Sequence, residues 1–227
     1  MAEKPVIFRA YQIPKIIDGS KTRFSEVIKP QPQICHWNSF SSYKLNIYPK
    51  ITTEGLFFKF IHSINENGKR NQESEWIKSP YQVGDLLWVR ETWAVGKGYD
   101  SLKPSLIPDV SYLRKWYKAE TSLIEKHGVG KWRSPLFMPK RFARIWLEVT
   151  AVKAERLQDI SESDIVAEGI VKSRGRYNIA RYQFSRIGNQ RGTGIEAFVE
   201  GWDSINPKHP WSNNDWVFAN TFKRIEK

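Results

Sequence analysis

The chain has 227 residues, 40% hydrophobic and 26% charged, which is the composition of a globular protein with one large domain. Its 36 basic and 24 acidic residues give a formal net charge of +12. This excess favours a polyanionic or otherwise negatively charged partner, nucleic acid first, although a basic surface without a dedicated ligand is the alternative. No apolar run approaches the ~18 residues of a membrane span, so we expect no membrane partner.

The cysteine and histidine content argues for a reducing compartment and against a metal. Cys35 is the single cysteine, so an intrachain disulfide is excluded and a cytoplasmic protein is favoured. A structural zinc site needs about four ligands at suitable spacing, and the four scattered histidines do not provide them. We therefore expect no metal and no other cofactor.

In chain order, the hydrophobic pattern predicts many short strands and few helices, hence a mixed α+β fold. The first helix has Ile13, Ile16 and Ile17 on one face and stops at Gly19. Predicted extended segments are Val6–Arg9, Thr22–Ile28, Leu56–His62, Tyr112–Ala119, Arg144–Val152 and Trp216–Ile225. Predicted helices are Tyr11–Asp18, a short one between Ser161 and Gly169, and Glu196–Ile205.

The stretch from Gly84 to Trp93 places two charges inside an apolar strand. A turn signal at Gly84 precedes the apolar run, which then delivers Arg90 and Glu91. Arg and Glu are seldom buried unless they are paired or serve a site. We therefore predict that Arg90, Glu91 and Trp93 form part of a polar pocket, the alternative being an edge strand whose charges face water.

The short helix after Ile160 carries a carboxylate where a helix disfavours one. Ser161 followed by Asp164 predicts a capping box at its start. Glu168 then lies in the last turn, where the helix dipole prefers a cation. This placement indicates either a functional carboxylate or a Glu that simply faces solvent.

Residues 172–194 form a basic segment with interleaved aromatic residues. We predict a mobile surface loop there, with Arg174, Arg176 and Arg181 contacting nucleic acid. A solvated insertion is the alternative.

A series of short motifs runs through most of the chain in a fixed order. They are Gly19-Ser20-Lys21-Thr22, Gly84-Asp85-Leu86-Leu87-Trp88-Val89-Arg90-Glu91-Thr92-Trp93, Arg156-Leu157-Gln158-Asp159-Ile160-Ser161-Glu162, Ala167-Glu168-Gly169-Ile170 and Trp202-Asp203-Ser204-Ile205-Asn206. This order resembles phage and prophage proteins of the ASCH family, in the PUA-like superfamily. The resemblance leaves out two regions, about 32–80 and 172–194. It implies a single ASCH/PUA-like domain over residues 1–227 with insertions there, built as a bent β-barrel with flanking helices.

The resemblance also implies an activity and a set of residues. One branch of the superfamily removes the acetyl group from N4-acetylcytidine with a Lys, a Thr and a Glu. Lys21 and Glu168 match the Lys and the Glu, whereas Phe24 stands where that branch has its Thr. Three replacements for the missing nucleophile are open: Thr22 on the same strand face as Phe24, Ser25 through a β-bulge, or water activated by Lys21 and Glu168. Of these, Thr22 is preferred.

Two functions from different classes follow. The first is an amidohydrolase acting on an N4-acylated cytidine or cytosine, with Lys21, Thr22 and Glu168 catalytic. Phe24, Ser25, Arg90, Glu91 and Trp93 would then contact the modified nucleoside or nucleobase. The alternative is a non-enzymatic module that binds RNA or a modified base. A ribonuclease, a third possibility, lacks support because no pair of histidines stands at a suggestive spacing.

Overall fold

The computed structural model describes residues 2–32, 44–63, 72–120, 128–174, 180–183 and 192–227. Most of these residues are in strands and connecting segments, so the fold is mixed α+β with few helices. The strands are β1 (Glu3–Ile7), β2 (Arg23–Val27), β3 (Lys44–Thr52), β4 (Gly55–Ser63), β5 (Gln72–Glu73), β6 (Ile77–Lys78), β7 (Leu86–Arg90), β8 (Trp93–Val95), β9 (Lys115–Tyr117), β10 (Trp146–Arg156), β11 (Val171–Arg174), β12 (Ala180–Gln183) and β13 (Trp216–Ile225). The helices are α1 (Ile13–Ile17), α2 (Glu162–Ala167) and α3 (Gly194–Ile205).

A five-stranded sheet is the centre of the molecule, with the strand order β1-β7-β10-β13-β2. β1 and β7 are parallel, and the other neighbours are antiparallel. The long strand β10 holds the sheet together because it pairs with both β7 and β13. Its side chains alternate, so that Leu147 and Val149 are fully buried. They pack with residues of β1, α1 and β7 in one hydrophobic cluster.

A second sheet packs against the first one at the start of β13. In it, β4 pairs with β3 on one side and with the short strands β5 and β6 on the other. Phe58 and Phe60 of β4 are buried against Phe218 and Trp216 of β13. A third cluster joins α2, α3 and β12 through Ile165, Phe198 and Tyr182. The helices α2 and α3 therefore lie together beside the β2–β13 edge.

The observed elements confirm the α+β prediction and correct parts of it. The closing strand Trp216–Ile225 has its predicted bounds, whereas β10 continues to Arg156, beyond the predicted end at Val152. The segment predicted as a basic loop begins as a hairpin of β11 and β12. Among the described strands, the pairing forms open sheets and no closed barrel. No helix in the described ranges is long and apolar enough to cross a membrane.

Candidate active site

The turn between α1 and β2 places Lys21 inside the protein. Gly19 ends α1 with a φ of 78°, a left-handed conformation that glycine adopts without strain. The Lys21 amide then donates to the Lys15 carbonyl at 2.8 Å, which turns the chain back towards the sheet. The Lys21 side chain consequently points inward and is only 1% exposed.

The helix α2 presents Glu168 to this lysine. Ser161 caps the helix, and Ser161 and Asp164 form the predicted capping box. Glu168 is the C-terminal cap residue, and Gly169 follows with a φ of 90°. Two lysines bind the carbonyls at this end: Lys21 Nζ lies 2.7 Å from the Glu168 carbonyl oxygen, and Lys15 Nζ lies 2.6 Å from that of Gly169. These cations offset the unfavourable position of a carboxylate at a helix C-terminus.

The Glu168 carboxylate bridges a lysine and a serine. Its Oε2 atom accepts from Lys21 Nζ at 2.9 Å, and its Oε1 atom accepts from Ser25 Oγ at 2.6 Å. The Glu168 side chain is 8% exposed, so both contacts are largely shielded from water. A hydroxyl, a carboxylate and an ammonium group are therefore linked in one chain of hydrogen bonds, the arrangement that activates a nucleophile.

Arg23 forms a second layer of charge behind Glu168. Its guanidinium binds Glu155 and lies 2.6 Å from Asp164 Oδ1, and its Nε atom lies 3.8 Å from Glu168 Oε1. Arg23 and Glu155 are both buried. Partial burial alone would raise the pKa of Asp164, but the Ser161 hydroxyl and the Arg23 charge together lower it below its usual value. The cluster ties α2 to β2 and so fixes the position of Glu168.

Lys21, Ser25 and Glu168 line one cavity of about 240 Å³. The rest of its wall is contributed mainly by apolar side chains from the β1 end and from α3. The other lining residues are Ile7, Phe8, Arg9, Gln12, Phe24, Phe198, Trp202, Ile205 and Asn206. The cavity is smaller than the ~300–1,000 Å³ typical for drug-sized ligands, which suits a small molecule.

Phe24 belongs both to the cavity wall and to an aromatic cluster. Its ring lies 5.6 Å from the rings of Phe8 and Tyr81, edge-on in both cases, and 6.0 Å from Phe222. This packing explains why an aromatic residue is accommodated where the resemblance implies a threonine. Phe24 thus offers an apolar surface to a ligand without a hydroxyl.

The structure separates the two hydroxyl candidates. β2 pairs with β13 in regular register, so Ser25 lies on the same strand face as Arg23 and reaches Glu168 without the predicted bulge. Thr22 is not among the residues that line the cavity. Its amide donates to the Ala167 carbonyl, and its carbonyl accepts from the Phe222 amide. Thr22 therefore joins β2 to its neighbours, and Ser25 holds the position beside Glu168.

Arg90, Glu91 and Trp93 do not meet Lys21 and Glu168. The Glu91 side chain is 1% exposed and forms a bidentate ion pair with the Arg144 guanidinium, in which both hydrogen bonds are 2.8 Å long. The Arg90 guanidinium lies 4.5 Å from the centre of the Trp88 ring. Trp93 is buried in the cluster around Phe142. None of these three residues is among those that line the cavity of Lys21 and Glu168. The Glu91 carboxylate is instead neutralised by Arg144.

The predicted nucleic-acid contacts are only partly within the described residues. Arg174 ends β11 and Arg181 lies in β12, two strands that pair with each other. Arg176 lies outside the described residues. No cluster of three or more potential metal ligands occurs in the part of the chain that the structure describes.

Several cavity residues were missed from the sequence. Trp202, Ile205 and Asn206 belong to a motif that carried the resemblance, so their position in the order of motifs was a usable signal. Gln12 and Arg9 follow the first strand and gave no signal, because a polar residue at a strand end is ordinary.

Comparisons with family models, with curated proteins and with solved structures gave no match to this chain. The geometry of the site is therefore the basis for any functional conclusion.

Proposed function

We propose that this protein is an amidohydrolase that removes the acyl group from N4-acylated cytidine or cytosine. The observation that carries the proposal is the Ser25–Glu168–Lys21 chain of hydrogen bonds on the wall of one small cavity. Amide hydrolysis needs a nucleophile, a proton acceptor for it and a proton donor for the leaving nitrogen. These three groups can supply all of them.

Ser25 is the nucleophile in this proposal. Its Oγ attacks the acyl carbonyl carbon while its proton passes to Glu168 Oε1, the atom 2.6 Å away. The carbonyl electron pair moves to oxygen and forms a tetrahedral oxyanion. Among the described residues, the contacts of Lys21 Nζ with Glu168 use two of its three N–H donors, and the third is available to the oxyanion.

Collapse of the intermediate releases the amine. The bond between the acyl carbon and N4 breaks, and N4 takes the proton held by Glu168. Cytidine then leaves, and the acyl group remains bound to Ser25 as an ester. Water then gives a proton to Glu168 and attacks this ester. Ser25 recovers that proton, so the overall reaction consumes one water and yields a carboxylic acid and the free amine. Glu168 acts first as a base and then as an acid, both when the acyl ester forms and when water hydrolyses it.

The cavity wall supports a pyrimidine substrate. Phe24 and Phe8 offer apolar ring surface to a planar base. Gln12 and Asn206 have amide groups at the same cavity, and such groups can bind the polar edge of a pyrimidine ring. We further propose that the open five-stranded sheet belongs to a bent PUA-like barrel and that the enzyme works in the cytoplasm on a modified nucleoside.

The test is a chromatographic assay with N4-acetylcytidine and N4-benzoylcytidine. Glu168→Gln should lower kcat by at least ~10²-fold, the usual scale for a lost acid–base group. Ser25→Ala should lower it at least as much, because it removes the nucleophile. Lys21→Ala should abolish turnover. Thr22→Val is the matched control, since it removes a neighbouring hydroxyl outside the cavity, and it should retain the parent rate.

The variants also discriminate between mechanisms. If Thr22→Val loses activity and Ser25→Ala keeps it, the assignment of the nucleophile is wrong. If both the Thr22→Val and the Ser25→Ala variants keep their activity, the nucleophile is a water molecule activated by Lys21 and Glu168. If the folded Lys21→Ala protein hydrolyses at the parent rate, this cavity is not the active site. Tight binding of acylated cytidine without turnover would favour the non-enzymatic module.

A further inference from the structure

The outer face of the second sheet, formed by β3, β4 and β6, carries aromatic rings beside lysines. Phe58 and Phe60 of β4 point into the core. Because side chains alternate along a strand, Phe57 and Lys59 lie on the opposite face. The second sheet packs against β13 through its inner side, and the depression on its outer face shares no lining residue with the cavity of Glu168.

The strand register brings the outer residues together. Lys50 pairs with Phe57, and Phe57 pairs in turn with Lys78 on the other side of β4. Ile77 pairs with Phe58 on the inner face, so its neighbour Trp76 lies outside, next to Lys59. Tyr48 pairs with Lys59 and is 47% exposed.

The lysines are close to the rings and remain near water. Lys50 Nζ and Lys59 Nζ lie 5.6 Å and 5.7 Å from the centre of the Trp76 ring, and Lys78 Nζ lies 5.7 Å from that of Phe57. Trp76 is 41% exposed. A depression of about 330 Å³ opens between these side chains, lined by Lys50, Thr52, Thr53, Glu54, Phe57 and Trp76.

We propose that this face binds single-stranded nucleic acid, with a base stacked in the depression against Trp76 and backbone phosphates on the lysines. Bases stack on exposed aromatic rings whatever their sequence, and lysines along the same track hold the phosphates. Lys50 and Lys78 are exposed on this face and can each hold a phosphate beside the depression. The lysine side chains are long and flexible, so their ammonium groups can move from the Trp76 ring to a phosphate when a base stacks on that ring. The proposal does not depend on the hydrolase, because it uses none of the cavity residues.

The binding test uses fluorescence anisotropy with labelled oligonucleotides of about 12 nucleotides, within the range of one stacking platform. The probes are oligo(U), oligo(dT) and a DNA duplex. Trp76→Ala should weaken single-strand binding by about 5- to 100-fold, since each stacked base contributes about 1–3 kcal/mol. Trp132→Ala is the matched control, because Trp132 is similarly exposed at 39% on another part of the surface, and its affinity should equal that of the parent.

Salt dependence tests the phosphate contacts. Lys50→Gln with Lys78→Gln should lower the slope of log K against log salt by about 1.4, or about 0.7 for each phosphate contact. The exposed lysines Lys103 and Lys131, changed in the same way, should leave the slope unaltered. Tighter binding of oligo(U) than of oligo(dT) would assign the face to RNA, and the reverse order to single-stranded DNA.

Three results would overturn the proposal. They are no binding at about 50 mM salt, equal affinity of the Trp76→Ala and Trp132→Ala proteins, and duplex binding as tight as single-strand binding. The binding measurements use no hydrolase readout, so failure of the hydrolase and failure of this site give different patterns.

Discussion

Replacement of Arg23 by methionine should destabilise the protein strongly, because the guanidinium is the shared partner of several carboxylates. Arg23 is 5% exposed and binds Glu155, which is 4% exposed. It also contacts Asp164 at 2.6 Å and lies 3.8 Å from Glu168. Methionine preserves most of the side-chain volume and removes the charge.

The expected loss of stability is set by the buried carboxylate of Glu155, which the Arg23→Met change leaves without its main counter-charge. Removal of one member of a buried ion pair costs about 3–5 kcal/mol, because the remaining charge is neither hydrated nor paired. Lys153 Nζ lies 2.8 Å from the second oxygen of Glu155, but its side chain is 70% exposed and compensates only in part. We therefore expect a loss near the lower end, about 3 kcal/mol, which corresponds to a fall in Tm of about 6–12 °C for a chain of this size.

Urea unfolding followed by circular dichroism measures this loss. The control is Lys223→Met, which breaks the more exposed pair with Glu148 and should cost no more than about 1 kcal/mol. The double change Arg23→Met with Glu155→Gln should recover part of the loss, since it also removes the unpaired carboxylate. If Arg23→Met costs less than about 1 kcal/mol, the buried network contributes no more than an exposed pair and the reasoning fails.

Two further predictions concern a buried carboxyl and a glycine. Burial raises the pKa of Glu91 above its usual 4.5, so the folded state binds more protons there and stability should decline as pH rises above about 4.5. Glu91→Gln should flatten this decline in urea titrations from about pH 4 to 7, and an unchanged slope would contradict it. Gly169→Ala should cost more stability than Gly19→Ala, although both have positive φ, because only at Gly169 would the new Cβ meet the Lys21 side chain, at 3.2 Å. If urea unfolding gives equal losses of stability for the two variants, the Lys21 side chain moves aside without cost and the reasoning is wrong.

Local signals in the sequence predicted much of the fold. The capping box at Ser161 and the stop at Gly19 depend on a few neighbouring residues, and both are present. The closing strand, Trp216–Ile225, was predicted with the bounds that the structure shows. The strand β3 was missed because apolar residues on both of its faces are exposed, as at Tyr48 and Ile51, so no buried face stands out in the sequence. Its pairing with β4 is a tertiary property that the local pattern does not carry.

The site shows the same division between local and distant information. Lys21 and Glu168 were named from short motifs, and they lie in hydrogen-bond contact. The partner of Glu91, Arg144, was not predicted, because it is 53 residues away and the local sequence does not reveal the pairing. Ser25 was considered only through a bulge, because Phe24 was taken to mark the functional strand face. In the structure both Phe24 and Ser25 line the cavity, although neighbouring residues of a strand point to opposite faces.

The buried charges around Glu168 are poorly explained by stability alone. Well-packed apolar residues in place of a buried ion pair are often neutral or stabilising. We therefore expect the Lys21–Glu168 pair beside the cavity to contribute to activity more than to stability. Lys21→Met alone should cost about 3–5 kcal/mol, since it leaves the Glu168 carboxylate without its principal cation. Lys21→Met with Glu168→Leu should recover most of that loss in urea unfolding and still have no hydrolase activity. If the double variant is as unstable as Lys21→Met, the pair holds the fold together, and its position beside the cavity no longer argues for catalysis.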